Sequence, residues 1–145
     1  MRTQSSNRKT QNESRSMNQE ARKIRNFTDL NAWKEAHRLV LFIYRITKDF
    51  PREELFGLVN QLRRAVISIT SNIAEGFSRS SYKEKSQFYS MALGSLTEVQ
   101  NQLIVSRDLG YITKKDFEEL EDITITVSKL LNGLIKKSKT MIHNS

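Results

Sequence analysis

The chain has 145 residues, of which 37% are hydrophobic, and a formal net charge of +8. This length and composition predict one domain with a core of its own. There is no cysteine, which excludes disulfides, thiolate zinc sites and cysteine nucleophiles; this is compatible with a reducing cytoplasm, where we expect the protein to reside. The longest apolar run, residues 39–44, is far below the roughly 20 residues that cross a bilayer, so we expect no membrane partner.

Residues 1–26 form a basic tail, in which seven Lys or Arg stand against two Glu, a net charge of +5. Large apolar residues are almost absent before Ile24, so the tail is predicted to be disordered when free. Two interpretations stay open: a solvated leader, or an arm that binds phosphates and releases their counterions. Met17 is an alternative to Met1 as the native start.

The first helix is predicted to begin at Asp29, whose carboxylate caps the first turn, and to end near Asp49, before Phe50-Pro51. One apolar stripe along it consists of Trp33, His37, Val40 and Tyr44. A second apolar row, on another side, consists of Leu39, Phe42 and Ile46. A helix that packs only within its own bundle needs one such face, so the second row predicts an oligomer.

The second helix follows a turn at Pro51, places Glu53 and Glu54 near the positive end of its dipole, and is predicted to run to Phe77. Its apolar stripe consists of Leu62, Val66, Ile69, Ile73 and Phe77. Another face consists of Arg64, Ser68, Ser71, Asn72, Glu75 and Arg79. We expect the first face to enter the core and the second to meet something polar.

Ser81 and Glu84 stand at capping-box spacing and open the third helix, which Gly110 closes in the left-handed conformation. Thr113 and Asp116 repeat the spacing and open the fourth helix, which is predicted to fray past Lys136. The third helix continues through Phe88, Ala92, Ser95, Val99 and Leu103. The apolar stripe of the fourth helix consists of Phe117, Leu120, Ile123, Val127, Leu130 and Leu134.

Short connections make sequential helices antiparallel, so the predicted fold is all-α: an antiparallel up-down-up-down four-helix bundle over residues 27–137. Residues 138–145 are predicted to form a frayed C-terminal tail. In the third helix the small residues Ala92, Gly94 and Ser95 predict the close approach of a neighbouring helix.

Several short strings carry a resemblance to a known family: SNIAEG at residues 71–76, Ala32-Trp33, Phe50-Pro51 and Leu109-Gly110-Tyr111-Ile112. Through them, residues 27–137 resemble the 23S rRNA intervening-sequence protein family, relatives of the accessory protein of diversity-generating retroelements. The resemblance implies a four-helix bundle that assembles as a barrel-like homopentameric ring. It also implies nucleic acid as a partner and, in the retroelement relatives, a reverse transcriptase.

Familiar motifs for catalysis and for metal or cofactor binding do not occur in the sequence. Neither His37 nor His143 has a glutamate three residues before it, which argues against a di-iron centre. There is no phosphate-binding glycine loop, zinc-protease motif or hydrolase nucleophile motif. We interpret His37 as a packed residue with one hydrogen bond, and we expect neither an enzyme nor a cofactor or metal.

Three glutamates, Glu75, Glu84 and Glu98, could meet across the second and third helices, where paired carboxylates can act as acid and base. Pairing with arginine is the favoured interpretation, because Glu75 and Arg79 lie one helical turn apart. The candidates for polar contacts, within or between subunits, are Ser68, Asn72, Glu75 and Glu98.

Basic residues carry the remaining functional signal. The candidates for nucleic-acid binding are Arg63, Arg64, Arg79, Lys83 and Lys85. These residues can contact phosphates without recognising the base sequence. Alternatively, they form a merely solvated charged face. A ring of identical subunits would repeat them around its axis. Few exposed aromatic residues are evident, which disfavours base stacking. The leading hypothesis is a non-enzymatic oligomer that binds RNA or DNA backbones. The alternative is a protein-interaction scaffold that docks a partner such as a reverse transcriptase.

Overall fold

A computed structural model describes residues 24–144, and in this range the chain is helical, without a strand. The four α-helices are α1 (Asn31–Thr47), α2 (Asn60–Ser78), α3 (Tyr82–Asp108) and α4 (Lys114–His143). None of these helices is apolar over enough of its length to span a bilayer. The predicted basic tail lies almost wholly outside the described residues.

The chain enters α1 through a short 3₁₀ turn, Phe27–Asp29, that Asn26 caps. The carboxylate of Asp29 accepts hydrogen bonds from the backbone N–H of Arg25 at 2.9 Å and of Asn26 at 3.2 Å. These bonds lower the pKa of the Asp29 carboxyl, because they favour its charged form. The prediction that Asp29 caps α1 is therefore wrong: its carboxylate completes the capping box of the preceding turn with Asn26, and Leu30 precedes α1 without a side-chain cap.

An irregular segment separates α1 from α2. After a 3₁₀ turn, Arg52–Glu54, the backbone of Gly57 leaves the helical region, with φ −107° and ψ −110°. The Glu54 carboxylate accepts a hydrogen bond from the backbone N–H of Leu58 at 3.2 Å, so one predicted acidic residue serves as a cap. Consequently α2 begins at Asn60 and not directly after Pro51.

Both boundaries of α3 and the beginning of α4 follow the predicted caps. The hydroxyl of Ser81 accepts from the Glu84 N–H, and that of Thr113 accepts from the Asp116 N–H, both at 3.1 Å. Gly110 has φ +79°, as predicted for a left-handed helix stop. The predicted fraying past Lys136 is wrong, because α4 remains helical to His143.

Residues from all four helices form the core. From α1, Leu39 and Ile43 are fully buried, and Ile46 is nearly so. The row that contains Leu39 and Ile46 therefore belongs to the core. It is not a second, unused apolar face, so it does not support the predicted oligomer. His37 is exposed, whereas the Trp33 beside it is half-buried. The apolar residue that α1 leaves outside is Leu41, at 59% exposed.

At Gly76 the backbone of α2 lies against the Tyr89 side chain of α3. No other glycine in the described part of the chain lies as close to a neighbouring residue. A Cβ added to Gly76 would lie 2.7 Å from Cε1 of the buried Tyr89, a distance that real Cβ atoms do not show. At Gly94, where the sequence predicted a close approach, an added Cβ meets nothing within 4 Å in the described chain. The predicted role of Gly94 is wrong within this subunit, and Gly76 has it instead.

We expect Gly76→Ala to lower the free energy of unfolding by about 1–2 kcal/mol, since the methyl group must displace the Tyr89 ring. The matched Gly94→Ala variant should raise it by about 0.5–1 kcal/mol through helix propensity alone. Urea unfolding followed by circular dichroism measures both. Equal effects of the two substitutions would contradict the packing argument.

Candidate polar interface on the second and third helices

Arg79 bridges the end of α2 and the beginning of α3. Its guanidinium lies over the ring of Phe88, 4.7 Å from the centroid, and its Nη2 donates to a carboxylate oxygen of Glu75 at 3.1 Å. The predicted Glu75–Arg79 pair is thus confirmed. Because both side chains are about half exposed, the ion pair contributes only tenths of a kcal/mol, and its main effect is to orient the guanidinium.

Two to three turns before Arg79, toward the N-terminus of α2, Ser68 and Asn72 meet Ser95 of α3. The Ser68 and Ser95 hydroxyls lie 2.8 Å apart, and the Asn72 amide donates to the Ser68 carbonyl at 2.8 Å and its hydroxyl at 3.1 Å. This small network joins the two helices with polar groups at a partly buried seam. Ser68 and Asn72, both predicted polar contacts, are therefore brought together within one subunit.

Lys85 is used inside the fold. Its ammonium reaches back from α3 and donates to the carbonyl of Phe77 at 2.6 Å and to that of Gly76 at 3.3 Å. These carbonyls are among the last of α2, and that of Gly76 also accepts from the backbone N–H of Arg79 at 3.3 Å. Lys85 therefore caps the negative end of α2. Burial lowers the pKa of the Lys85 ammonium.

Arg63 likewise contacts its own subunit. Its guanidinium lies 4.6 Å above the Tyr44 ring, and its Nε donates to the Thr47 hydroxyl at 3.0 Å. A longer bond, of 3.5 Å, reaches the Tyr44 carbonyl. Arg63 therefore ties α2 to the last turn of α1.

The two other predicted cations, Arg64 and Lys83, are exposed. Within residues 24–144 neither makes a hydrogen bond or ion pair. Of the five candidates, these two and the outer edge of Arg79 are the ones open to a ligand. The sequence predicted their charge, but the aromatic and carbonyl partners that occupy Arg63 and Lys85 come from other helices.

The predicted carboxylates remain separate. Glu98 accepts a hydrogen bond from the Gln102 amide at 3.3 Å, and the amide oxygen of Gln102 is buried without a partner. In the described part of the chain no hydrogen bond joins Glu75, Glu84 and Glu98. Within residues 24–144 there is also no cluster of three or more His, Asp or Glu that could hold a metal ion.

A family model described as "23S rRNA-intervening sequence protein" matches residues 28–133, which include α1–α3 and most of α4. The chain belongs to this family. The matched range leaves out the last ten residues of α4. Among curated proteins, no match was found.

Among solved structures, this member of the intervening-sequence family is similar to a protein of unknown function from Bacteroides thetaiotaomicron VPI-5482, described as from the S23 ribosomal protein family. The TM-score is 0.67 at 24% sequence identity. The match covers 72% of this chain and 95% of the other. At this identity the likeness concerns the fold alone.

We expect Lys85→Met to lower the free energy of unfolding by about 1–2 kcal/mol, since the aliphatic stem is kept and the two bonds to α2 carbonyls are lost. Lys83→Met removes the same charge from an exposed side chain and should change it by less than about 0.5 kcal/mol. Thermal unfolding at fixed salt compares the two. A larger effect at Lys83 would show that the carbonyl contacts do not stabilise α2.

Proposed function

We propose that this protein is a non-enzymatic, oligomeric nucleic-acid-binding protein that contacts RNA or DNA phosphates. The observation that carries the proposal is the charge distribution along α4. Residues 116–122 contain five Asp or Glu and no Lys or Arg, whereas residues 123–144 contain four Lys and no Asp or Glu. Since both stretches belong to one helix of 30 residues, the charges are held apart by a rigid element.

Contacts between helices support an antiparallel order of α3 and α4. The Arg107 guanidinium, in the last turn of α3, lies 4.5 Å above the ring of Phe117, in the first turn of α4. Farther from the connection, Gln100 and Thr124 line one groove. As residue numbers fall along α3 they rise along α4, which is the antiparallel register.

The other pairs support the same topology. Lys85 contacts the end of α2, whereas Ser95 contacts Ser68, nearer the middle of that helix. At the other connection, the Phe50 ring lies 5.4 Å from the Tyr111 ring, which brings the end of α1 to the beginning of α4. We therefore propose an up-down-up-down bundle.

In that topology one end of the bundle is basic. It contains the α2–α3 joint with Arg79 and Lys83, and the C-terminal half of α4 with its four lysines. The chain also enters α1 at this end, directly after the basic residues 1–26. Cations so grouped bind phosphates by releasing condensed counterions, without reading the base sequence.

A ring would multiply this field, because each subunit repeats its basic end around the symmetry axis. The family resemblance implies five subunits. Apolar side chains that α2 and α3 leave exposed support an interface there: Ile67 is 42% exposed, Met91 54% and Ile104 44%. We propose that these helices, with their polar seam, form the contact between copies.

A second candidate function is a scaffold that docks a protein partner such as a reverse transcriptase. The irregular turn between α1 and α2 favours it. Phe56 is 89% exposed and the adjacent Leu55 48%, so an aromatic and an aliphatic side chain project together from one turn. Exposed aromatic residues of this kind are typical centres of protein interfaces.

For the leading proposal, we expect that replacing Lys136, Lys137 and Lys139 with glutamine weakens binding to a mixed RNA fragment. The slope of log affinity against log salt should fall by about 2, because each phosphate contact contributes about 0.7–0.9. Fluorescence anisotropy over a salt series measures the slope.

The matched control replaces Lys48, Lys114 and Lys115, which carry the same charge at the opposite end, with glutamine. It should leave the slope within about 0.5 of the original value. Equal losses in the two variants would contradict the basic end, and a protein without affinity for RNA at low salt would contradict nucleic-acid binding altogether.

For the oligomer, we expect light scattering of nuclease-treated protein to give a multiple of 16.9 kDa, five-fold by family resemblance. Met91→Arg should reduce the mass by placing a charge in the contact, whereas Leu41→Arg, at a similarly exposed site of α1, should not. A mass of one subunit for the unaltered protein would contradict the ring.

A further inference from the structure

Three aromatic rings form a ladder on the outer side of α1. The imidazole of His37 stacks on Trp33, with centroids 4.6 Å apart and an interplanar angle of 11°. The Phe27 ring contacts Trp33 edge-on at 5.6 Å. His37 and Phe27 are exposed, and Trp33 is half-buried. One face of the imidazole is thus covered by the indole, and the side chain extends into solvent.

A groove of about 550 Å³ begins at this ladder and follows α1 toward its C-terminus. It is lined by Lys34, His37, Arg38, Leu41, Phe42, Arg45 and, from α4, Glu119. Three permanent cations thus stand against one carboxylate. Its volume lies within the 300–1,000 Å³ that is typical of ligand sites.

A second flat surface lies at the far end of the groove. The guanidinium of Arg45 is placed 4.5 Å from the centre of the Phe42 ring, so the two planar groups are associated. Arginine planes, like aromatic rings, stack on nucleobases. His37 and Arg45 are eight residues apart on one helix, about 12 Å along its axis. The groove therefore has a stacking surface at each end.

The cations of the groove are available. Arg38 is 64% exposed and its ion pair with Glu35, at 3.3 Å, is of the weak surface kind. Lys34 and Arg45 are exposed. The α4 side carries Glu119 and Asp122, which repel phosphates. A bound backbone is thereby directed along the α1 side of the groove.

We propose that this groove binds a short single-stranded segment of RNA or DNA, with bases stacked on His37 and Arg45 and phosphates contacted by Lys34 and Arg38. The proposal rests on the proposed nucleic-acid binding and adds to the basic end a second site, along α1, that prefers single strands. It also revises the expectation that exposed aromatic residues are too few for stacking. A duplex does not fit the stacking surfaces, because its bases are already stacked on each other.

The full-length protein offers an intrinsic probe, because Trp33 is its only tryptophan. We expect Trp33 emission to change on addition of a 12-nucleotide oligouridylate, and not on addition of a duplex of equal length. The variant His37→Ala/Arg45→Ala should bind the oligouridylate at least about 30-fold more weakly, since two stacked bases together contribute about 2 kcal/mol or more. Anisotropy of the labelled strand measures this loss.

Lys48→Ala/Lys114→Ala is the matched control, with two cationic side chains removed from exposed positions that do not line the groove. It should retain affinity within about three-fold and the Trp33 response. Circular dichroism checks that both variants keep their helix content. Both altered positions of the test variant are exposed, so truncation leaves the core intact.

Three results would contradict the proposal that the groove binds a single strand. If the His37→Ala/Arg45→Ala variant binds the strand as tightly as the unaltered protein does, the binding site lies elsewhere, while the proposed function stands. A reduced oligomeric mass of that variant would identify the groove as a contact between copies. If the unaltered protein binds neither strand nor duplex at low salt, the proposed function fails together with the groove.

Discussion

The contact between Gly76 and Tyr89 is the constraint on which the candidate polar surface depends. With hydrogen as the side chain at position 76, the α2 backbone can lie against a buried tyrosine ring of α3. Any larger residue must displace that ring or shift α2 away from it. At that distance Lys85 can reach the last carbonyls of α2, and the same register brings Ser68 to Ser95. One missing methyl group thereby determines the spacing of the whole seam.

Local features of the fold were predictable from sequence because they involve residues within one turn. The caps at Ser81 and Thr113 and the left-handed Gly110 are of this kind. The buried positions of α2 follow from the helical periodicity of its own apolar residues. The failure at Asp29 has a different cause. Its carboxylate could cap a helix ahead or close a turn behind, and the upstream amide groups of Arg25 and Asn26 decide the outcome.

Features that depend on neighbouring helices could not be predicted from the local sequence pattern alone. Both apolar rows of α1 have helical periodicity, and only the positions of α2 and α4 select the row with Leu39 for the core. The charges on Arg63 and Lys85 were evident, yet the Thr47 hydroxyl and the α2 carbonyls that they contact belong to neighbouring helices. Sequence identified which side chains could bind phosphate, and tertiary contacts determine which of them are available to do so.

The division of α4 into an acidic and a basic half also has a kinetic consequence. The opposite charges of its two halves give this helix an electric dipole moment, and in the field of a polyanion it experiences a torque as well as a force. With nucleic acid as the proposed partner, rotation would precede contact, and productive collisions would exceed those of a uniformly charged bundle with the same net charge. Since the Debye length is about 8 Å at physiological ionic strength, this orientation acts over the last nanometre of approach.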